Sequence, residues 1–75
     1  MKITLNGEPF EIACPVTLRQ LLTALDIDPQ RVAVEHNLEI VKRKVYNSLI
    51  VNEGDQVEVV NFVGGGSAQL STIND

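Results

Sequence analysis

VEVVNFVGGG, residues 57–66, is the stretch that decides how this chain folds. Its first seven residues are rich in valine, which fits a pleated and packed surface, so they predict a buried strand. The glycines that follow, Gly64, Gly65 and Gly66, have no Cβ and adopt almost any backbone conformation. The stretch therefore predicts a rigid strand that continues directly into a thin, flexible arm.

The length and charge of the chain restrict its function. Its 75 residues predict one small domain, which buries only about 60–65% of its unfolded surface. So small a body leaves little room for an active-site cleft, which favours a binding or carrier protein over an enzyme. The net charge of −4 argues against nucleic acid as a partner, because phosphate binding requires a basic face.

The cellular location follows from a few further features. A single cysteine, Cys14, forms no internal disulfide and predicts a reducing compartment. No apolar run approaches the roughly 20 residues of a membrane span, and the first residues do not resemble a signal peptide. We expect a cytoplasmic protein that is monomeric when free.

The chain opens with a predicted β-hairpin and an amphipathic helix. Asn6-Gly7 is a strong hairpin turn signal, and it sets the register. The expected pairs are Leu5 with Glu8, Ile3 with Phe10 and Met1 with Ile12. Thr17 and Gln20 then fit a capping box. The apolar stripe Leu18, Leu21, Leu22 and Leu25 predicts a helix over residues 18–26 that Asp28-Pro29 ends.

The second half of the chain predicts short strands. Residues 31–35 form the third strand, 36–39 a turn, and 40–41 a short extended segment. Residues 42–49 show no clean period and predict an irregular stretch or one helical turn. Residues 50–51 pair briefly, and a turn over 52–55 leads into the last strand. The predicted order is β-β-α-β-β-β.

Side-chain parity along the last strand leaves two interpretations open. Val57 and Val59 are expected to face the helix, so Val60 and Phe62 lie on the opposite face of the sheet. That face is either partly covered or an exposed apolar patch for partner docking. His36 has no further ligand at metal-binding spacing, so no metal site is expected. Cys14 is interpreted as a small apolar residue and not as a nucleophile.

The opening hairpin, the single helix, and residues 32–41 and 54–66 carry a resemblance to a known family. The chain resembles the ThiS-type sulfur carriers of the ubiquitin-like β-grasp (ThiS/MoaD) family. The resemblance implies an α+β fold in which one helix packs across a mixed sheet of four or five strands. The first and last strands are then parallel neighbours. The expected division is a β-grasp domain over residues 1–63, a flexible glycine arm over 64–66 and a disordered extension over 67–75.

The resemblance also implies a mechanism. A ThiF-type enzyme uses ATP to adenylate the carboxylate of Gly66, and sulfur displaces AMP to leave a thiocarboxylate. The arm formed by Gly64, Gly65 and Gly66 enters the partner, and a ThiG-type thiazole synthase receives the sulfur for thiamin biosynthesis. The carrier itself is expected to bind no cofactor. Two alternatives remain: a carrier for molybdopterin or amino-acid biosynthesis, and a β-grasp interaction module that is never activated.

The sequence departs from the family pattern after Gly66. Nine residues follow, ending in Asp75, so Gly66 carries an amide where the mechanism needs a carboxylate. Either a protease removes residues 67–75, or they are a cloning or gene-fusion product, or the carrier role is lost. Only Leu70 and Ile73 among them are sizeable apolar residues, so little burial offsets the entropy of ordering this segment.

Overall fold

A computed structural model of the protein describes residues 1–61. Residues 62–75 lie outside the described part, and with them the expected arm and extension. Residues 1–61 contain seven strands and one α-helix, in the order β-β-β-α-β-β-β-β. They are β1 Lys2–Leu5, β2 Glu8–Glu11, β3 Val16–Thr17, α1 Leu18–Ala24, β4 Val32–His36, β5 Glu39–Val41, β6 Ile50–Val51 and β7 Gln56–Asn61.

Five of the strands form one mixed sheet in the order β2-β1-β7-β4-β5. The last strand, β7, lies in the centre, parallel to β1 and antiparallel to β4. The prediction that the first and last strands are parallel neighbours is therefore confirmed. The predicted α+β class, with one helix packed across a mixed sheet, is also confirmed, because the buried side chains of α1 belong to the same core as those of the sheet.

The hairpin between β1 and β2 has the register that its turn predicts. Ile3 pairs with Phe10 and Leu5 with Glu8. The Met1 amino group donates to the Ile12 carbonyl at 2.8 Å, and the Ile12 N–H donates back to the Met1 carbonyl at 2.8 Å. Asn6 and Gly7 both adopt positive φ, 50° and 83°, as a two-residue hairpin turn requires.

Helix α1 begins as predicted and ends earlier. The Thr17 hydroxyl accepts from the Gln20 N–H at 3.0 Å, and the Gln20 side chain accepts from the Thr17 N–H at 2.8 Å, so the capping box is confirmed. The helix ends at Ala24 because Asp26 adopts a positive φ of 60°. The Ile27 N–H then donates to the Leu22 carbonyl, which closes a Schellman motif before Asp28-Pro29 is reached.

Residues 50–51 pair as predicted, as strand β6 of a small two-stranded sheet, but their partner, β3, was not predicted. Val16 pairs with Val51, and Thr17 pairs with Ile50. Beside it, the irregular stretch expected over residues 42–49 contains one 3-10 turn, Arg43–Val45. This stretch supports the start of α1: the Arg19 N–H donates to the Tyr46 carbonyl at 2.9 Å. Strand β3 was missed because a two-residue strand carries no readable period.

The hydrophobic core lies between α1 and the five-stranded sheet. The predicted leucine stripe faces it, although Leu25 at the end of the helix is only partly buried. The buried side chains of this core come from the helix, from the strands and from the stretch before β6. They are Ile3, Leu18, Leu21, Leu22, Val32, Val34, Val41, Tyr46, Val51 and Val57.

Candidate functional site

The site that the sequence indicates begins where β7 ends. Residue by residue, β7 pairs with β4 from His36 opposite Val57 to Val32 opposite Asn61. Asn61 is thus held in the sheet, and the chain continues from there toward the glycines. Gly64, Gly65 and Gly66 lie outside the described residues, so the arm and the reactive position remain predictions. What the structure gives is the anchor of the arm, the central strand of the sheet.

Asn6 holds the other side of this strand. Strand β1 pairs with β7 only at Thr4 and Leu5, after which the hairpin turn leads it away. The Asn6 N–H donates to the Val57 carbonyl at 2.9 Å, and its side-chain Oδ1 accepts from the Val59 N–H at 2.7 Å. Asn6 therefore extends the hydrogen-bond ladder beyond the end of β1. The sequence identified Asn6 only as a turn residue.

A second polar cluster fixes the start of β7. Asp55 Oδ2 accepts from the Asn52 N–H at 2.9 Å and from His36 Nε2 at 2.7 Å. The Asn37 side chain donates to Asp55 Oδ1 at 3.4 Å and accepts from the Gln56 N–H at 2.9 Å. We call these residues the Asp55 clasp, because they join the β4–β5 turn to the turn that precedes β7.

The clasp lowers the pKa of Asp55. Burial by itself raises the pKa of this carboxyl group, since it disfavours the charged form. The hydrogen bonds from Asn52, His36 and Asn37 favour the carboxylate and outweigh the burial, so the pKa of Asp55 is lowered from its ordinary value of 3.8. Because a carboxylate can only accept, His36 Nε2 is the donor in this contact.

Acid is expected to weaken the fold through Asp55. Because its pKa is lower in the folded than in the unfolded state, its contribution to stability is complete above about pH 4 and is lost as the pH falls through the folded pKa. Asp55→Asn should remove this contribution. The unfolding free energy of this variant should therefore fall less below pH 4 than that of the unsubstituted chain. Urea unfolding from pH 2 to pH 7 measures it. Glu53→Gln, an exposed change in the same turn, should leave the acid dependence intact.

Val60 does not supply the exposed surface that a docking patch requires. Val57 and Val59 pack on the core as expected, which places Val60 on the opposite face of β7. Its side chain is nevertheless only 6% exposed. Of the two interpretations, the covered face describes Val60. Parity predicts which face a residue occupies but not what shields it there. Phe62, the other member of the patch, lies outside the described residues.

Two further residues singled out in the sequence have different surroundings from those expected. Cys14 is exposed and does not pack as a small apolar residue. His36 is not isolated, since it bonds Asp55, 19 positions later in the chain. Within residues 1–61, no three His, Cys, Asp or Glu side chains are grouped so that they could hold a metal ion. No helix in that part is long and apolar enough to cross a membrane.

The sheet order and the helix packed on it define a ubiquitin-like β-grasp protein. Among solved structures, the crystal structure of the thiamine biosynthesis protein ThiS from Geobacter metallireducens is similar, with a TM-score of 0.79 and 36% identity. The similarity covers 88% of this chain and 100% of that one. The ThiS family model matches residues 3–66. The chain belongs to the ThiS family.

Two relatives differ in how much of their length this chain matches. The sulfur carrier protein ThiS of Escherichia coli is 32% identical over 66 residues, which cover 88% of this chain and 100% of that protein. A thiazole synthase of Paramagnetospirillum magneticum is 46% identical over 72 residues, 96% of this chain. The chain spans only 22% of that relative. Since 72 of 75 residues are aligned, the similarity continues past Gly66 to Thr72 at least.

Proposed function

We propose that this domain carries sulfur for the formation of thiazole in thiamin biosynthesis, as a thiocarboxylate on Gly66. The observation that supports the proposal most strongly is the family match, which runs through the central strand and ends at Gly66. The glycines that follow β7 resemble an arm that a partner enzyme draws into its own active site.

The proposed chemistry divides the work between the carrier and its partners. A carboxylate resists nucleophiles, so a ThiF-type enzyme transfers AMP from ATP to Gly66 and releases pyrophosphate. A sulfur nucleophile then displaces AMP, and the resulting thiocarboxylate gives its sulfur to a ThiG-type thiazole synthase. The carrier contributes reach: three extended glycines span roughly 10 Å, and without a Cβ they fit a narrow channel.

The peptide bond between Gly66 and Ser67 has to be cleaved before this chemistry can begin. Hydrolysis of that bond by a protease would release the carboxylate that the adenylating enzyme requires. Ser67 to Thr72 have aligned counterparts in the thiazole synthase of P. magneticum, which favours a processed or fused segment over a cloning remnant. We therefore propose that residues 67–75 are a natural extension and that a processing protease acts after Gly66.

The intact mass of the protein purified from its own cell tests this proposal. We expect a species that ends at Gly66 and in which one sulfur replaces one oxygen. Treatment with an alkylating reagent should add one group at the thiocarboxylate, which is a soft nucleophile, and a second at the exposed thiol of Cys14. Alkylation of Cys14 is the competing reaction, and a Cys14→Ser chain excludes it. A protein that retains residues 67–75 and carries no sulfur, in cells that are producing thiamin, would rule the carrier function out.

A further inference from the structure

The turn between β4 and β5 exposes a leucine in a backbone conformation that leucine rarely adopts. Asn37 and Leu38 form a two-residue turn with φ of 51° and 72°, and the Leu38 side chain is 78% exposed. The same kind of turn at Asn6 and Gly7 uses glycine at its second position, which is the residue that favours positive φ. Leu38 helps neither the turn nor the core, which indicates a role outside folding.

Ile40 extends the same apolar surface along β5. It is 77% exposed, almost as much as Leu38. Strand β5 is an edge strand of the five-stranded sheet, so within residues 1–61 one of its sides has no neighbouring strand. A shallow groove of about 280 Å³ runs beside this strand, and Val41, Val45 and Leu49 line it. The exposed side chains of Leu38 and Ile40 and the apolar groove thus lie next to an unpaired strand edge, a combination typical of docking surfaces.

Positive charge is concentrated at one end of this surface. Lys42, Arg43 and Lys44 follow β5 directly and are all exposed. They are half of the six cationic residues of a chain whose net charge is −4. Arg43 also has a structural role, since its guanidinium donates to the Pro29 and Val32 carbonyls at 3.1 Å each. The two lysines remain as the cations whose substitution tests a contact with a partner.

We propose that Leu38, Ile40, Lys42 and Lys44, here called the hairpin surface, dock the domain on thiazole synthase. This inference rests on the proposed function. The site on the synthase is an apolar pocket for Leu38 and Ile40, bordered by carboxylates that face the lysines. The P. magneticum relative supports the choice of partner, because the counterpart of this domain is part of a thiazole synthase chain. In that relative the two parts belong to one chain, so a docking surface of moderate affinity is enough to hold them together.

The position of the hairpin surface leaves the arm free during docking. The arm leaves β7 after Asn61, which pairs with Val32, whereas the turn that carries Leu38 follows His36, which pairs with Val57 at the other end of β7. The two ends of this pairing are roughly 13 Å apart along the strand. The Asp55 clasp also holds Asn37, next to Leu38, against the chain at Gln56. The tip of the surface is therefore fixed relative to the strand that carries the arm. Docking on the hairpin surface would therefore hold the domain while the arm, at the other end of β7, stays uncovered.

Calorimetric titration of the full chain against thiazole synthase purified from the same cell tests the proposal. Leu38→Gly should weaken binding at least about tenfold without lowering the unfolding midpoint, since glycine adopts a φ of 72° easily. Ile40→Thr should weaken binding similarly. Ile50→Thr is its matched control: it changes another exposed strand isoleucine, 44% exposed, and should bind as the unsubstituted chain does.

The charged part of the surface is tested in the same assay. Lys42→Glu with Lys44→Glu should weaken binding and remove most of its dependence on salt. The control is a double variant, Lys2→Glu with Arg19→Glu, which changes the net charge by the same amount outside the hairpin surface. It should leave binding nearly intact. A uniform loss in both double variants would point to net charge alone and overturn the assigned surface.

The outcomes separate this inference from the function on which it rests. If Leu38→Gly and Ile40→Thr bind as tightly as the unsubstituted chain, the hairpin surface is wrong while the carrier function stands. If the unsubstituted chain itself does not bind thiazole synthase, the proposed partner is wrong as well. The thiocarboxylate on Gly66, detected by mass, does not depend on this docking. If the thiocarboxylate is absent, the carrier function is contradicted, and the docking surface is judged by the binding data separately.

Discussion

Ending the chain at Gly66 is expected to switch on its activation by a ThiF-type enzyme. The truncated chain should support ATP–pyrophosphate exchange, because Gly66 then presents a free carboxylate. The chain with residues 67–75, kept free of proteases, should support none, because its Gly66 carbonyl is part of an amide bond. Since the truncation begins beyond Asn61, we expect the unfolding midpoints of the two chains to agree, so that the difference in exchange reports the chemistry of the terminus.

Gly66→Ala in the truncated chain is the matched control for the arm. It keeps the free carboxylate and adds one methyl group beside it, so exchange should slow without vanishing. If the chain that retains residues 67–75 is activated as fast as the truncated one, the reactive carboxylate is not that of Gly66. The proposed mechanism would then be wrong, even though the chain belongs to the ThiS family.

Leu22→Ala is expected to bring the domain close to unfolding. The Leu22 side chain is 0% exposed and packs between α1 and the sheet. Truncation of such a leucine costs about 2–5 kcal/mol. A domain of this length is stable by only about 4–11 kcal/mol, so a large part of its stability should be lost. Thermal unfolding followed by circular dichroism measures the change.

Leu38→Ala is the matched control for Leu22→Ala. It makes the same substitution at a side chain that is 78% exposed, so stability should change by no more than about 0.5 kcal/mol. Equal losses in the two variants would mean that the leucine stripe of α1 is not the centre of the core.

The parts of the fold that depend on neighbouring residues could be predicted from the sequence. The turn at Asn6-Gly7 sets a local register, and the capping box at Thr17 and Gln20 depends on two residues three positions apart. The end of α1 was predicted two residues too late. Pro29 was the visible stop signal, whereas the Schellman motif at Asp26 uses a residue that carries no strong signal for positive φ.

The parts that depend on distant residues could not be predicted. Asn6 bonds Val59, 53 positions away, and His36 bonds Asp55, 19 positions away. Single polar residues in turns show no periodicity that would identify such partners. The burial of Val60 could not be predicted either, because alternation along a strand predicts which face a side chain occupies but not whether other residues cover that face.

The central place of β7 also governs the order in which the protein can assemble during synthesis. Before residues 56–61 leave the ribosome, the chain has two separate hairpins, β1–β2 and β4–β5, and an isolated hairpin is marginally stable at best. Only β7 joins them, through pairs as distant as Thr4 with Gln56. The arm follows β7 directly in the sequence, so the strand that completes the sheet is also the strand that leads into the arm. A folding intermediate without β7 would have no anchored arm to offer to a protease or an adenylating enzyme.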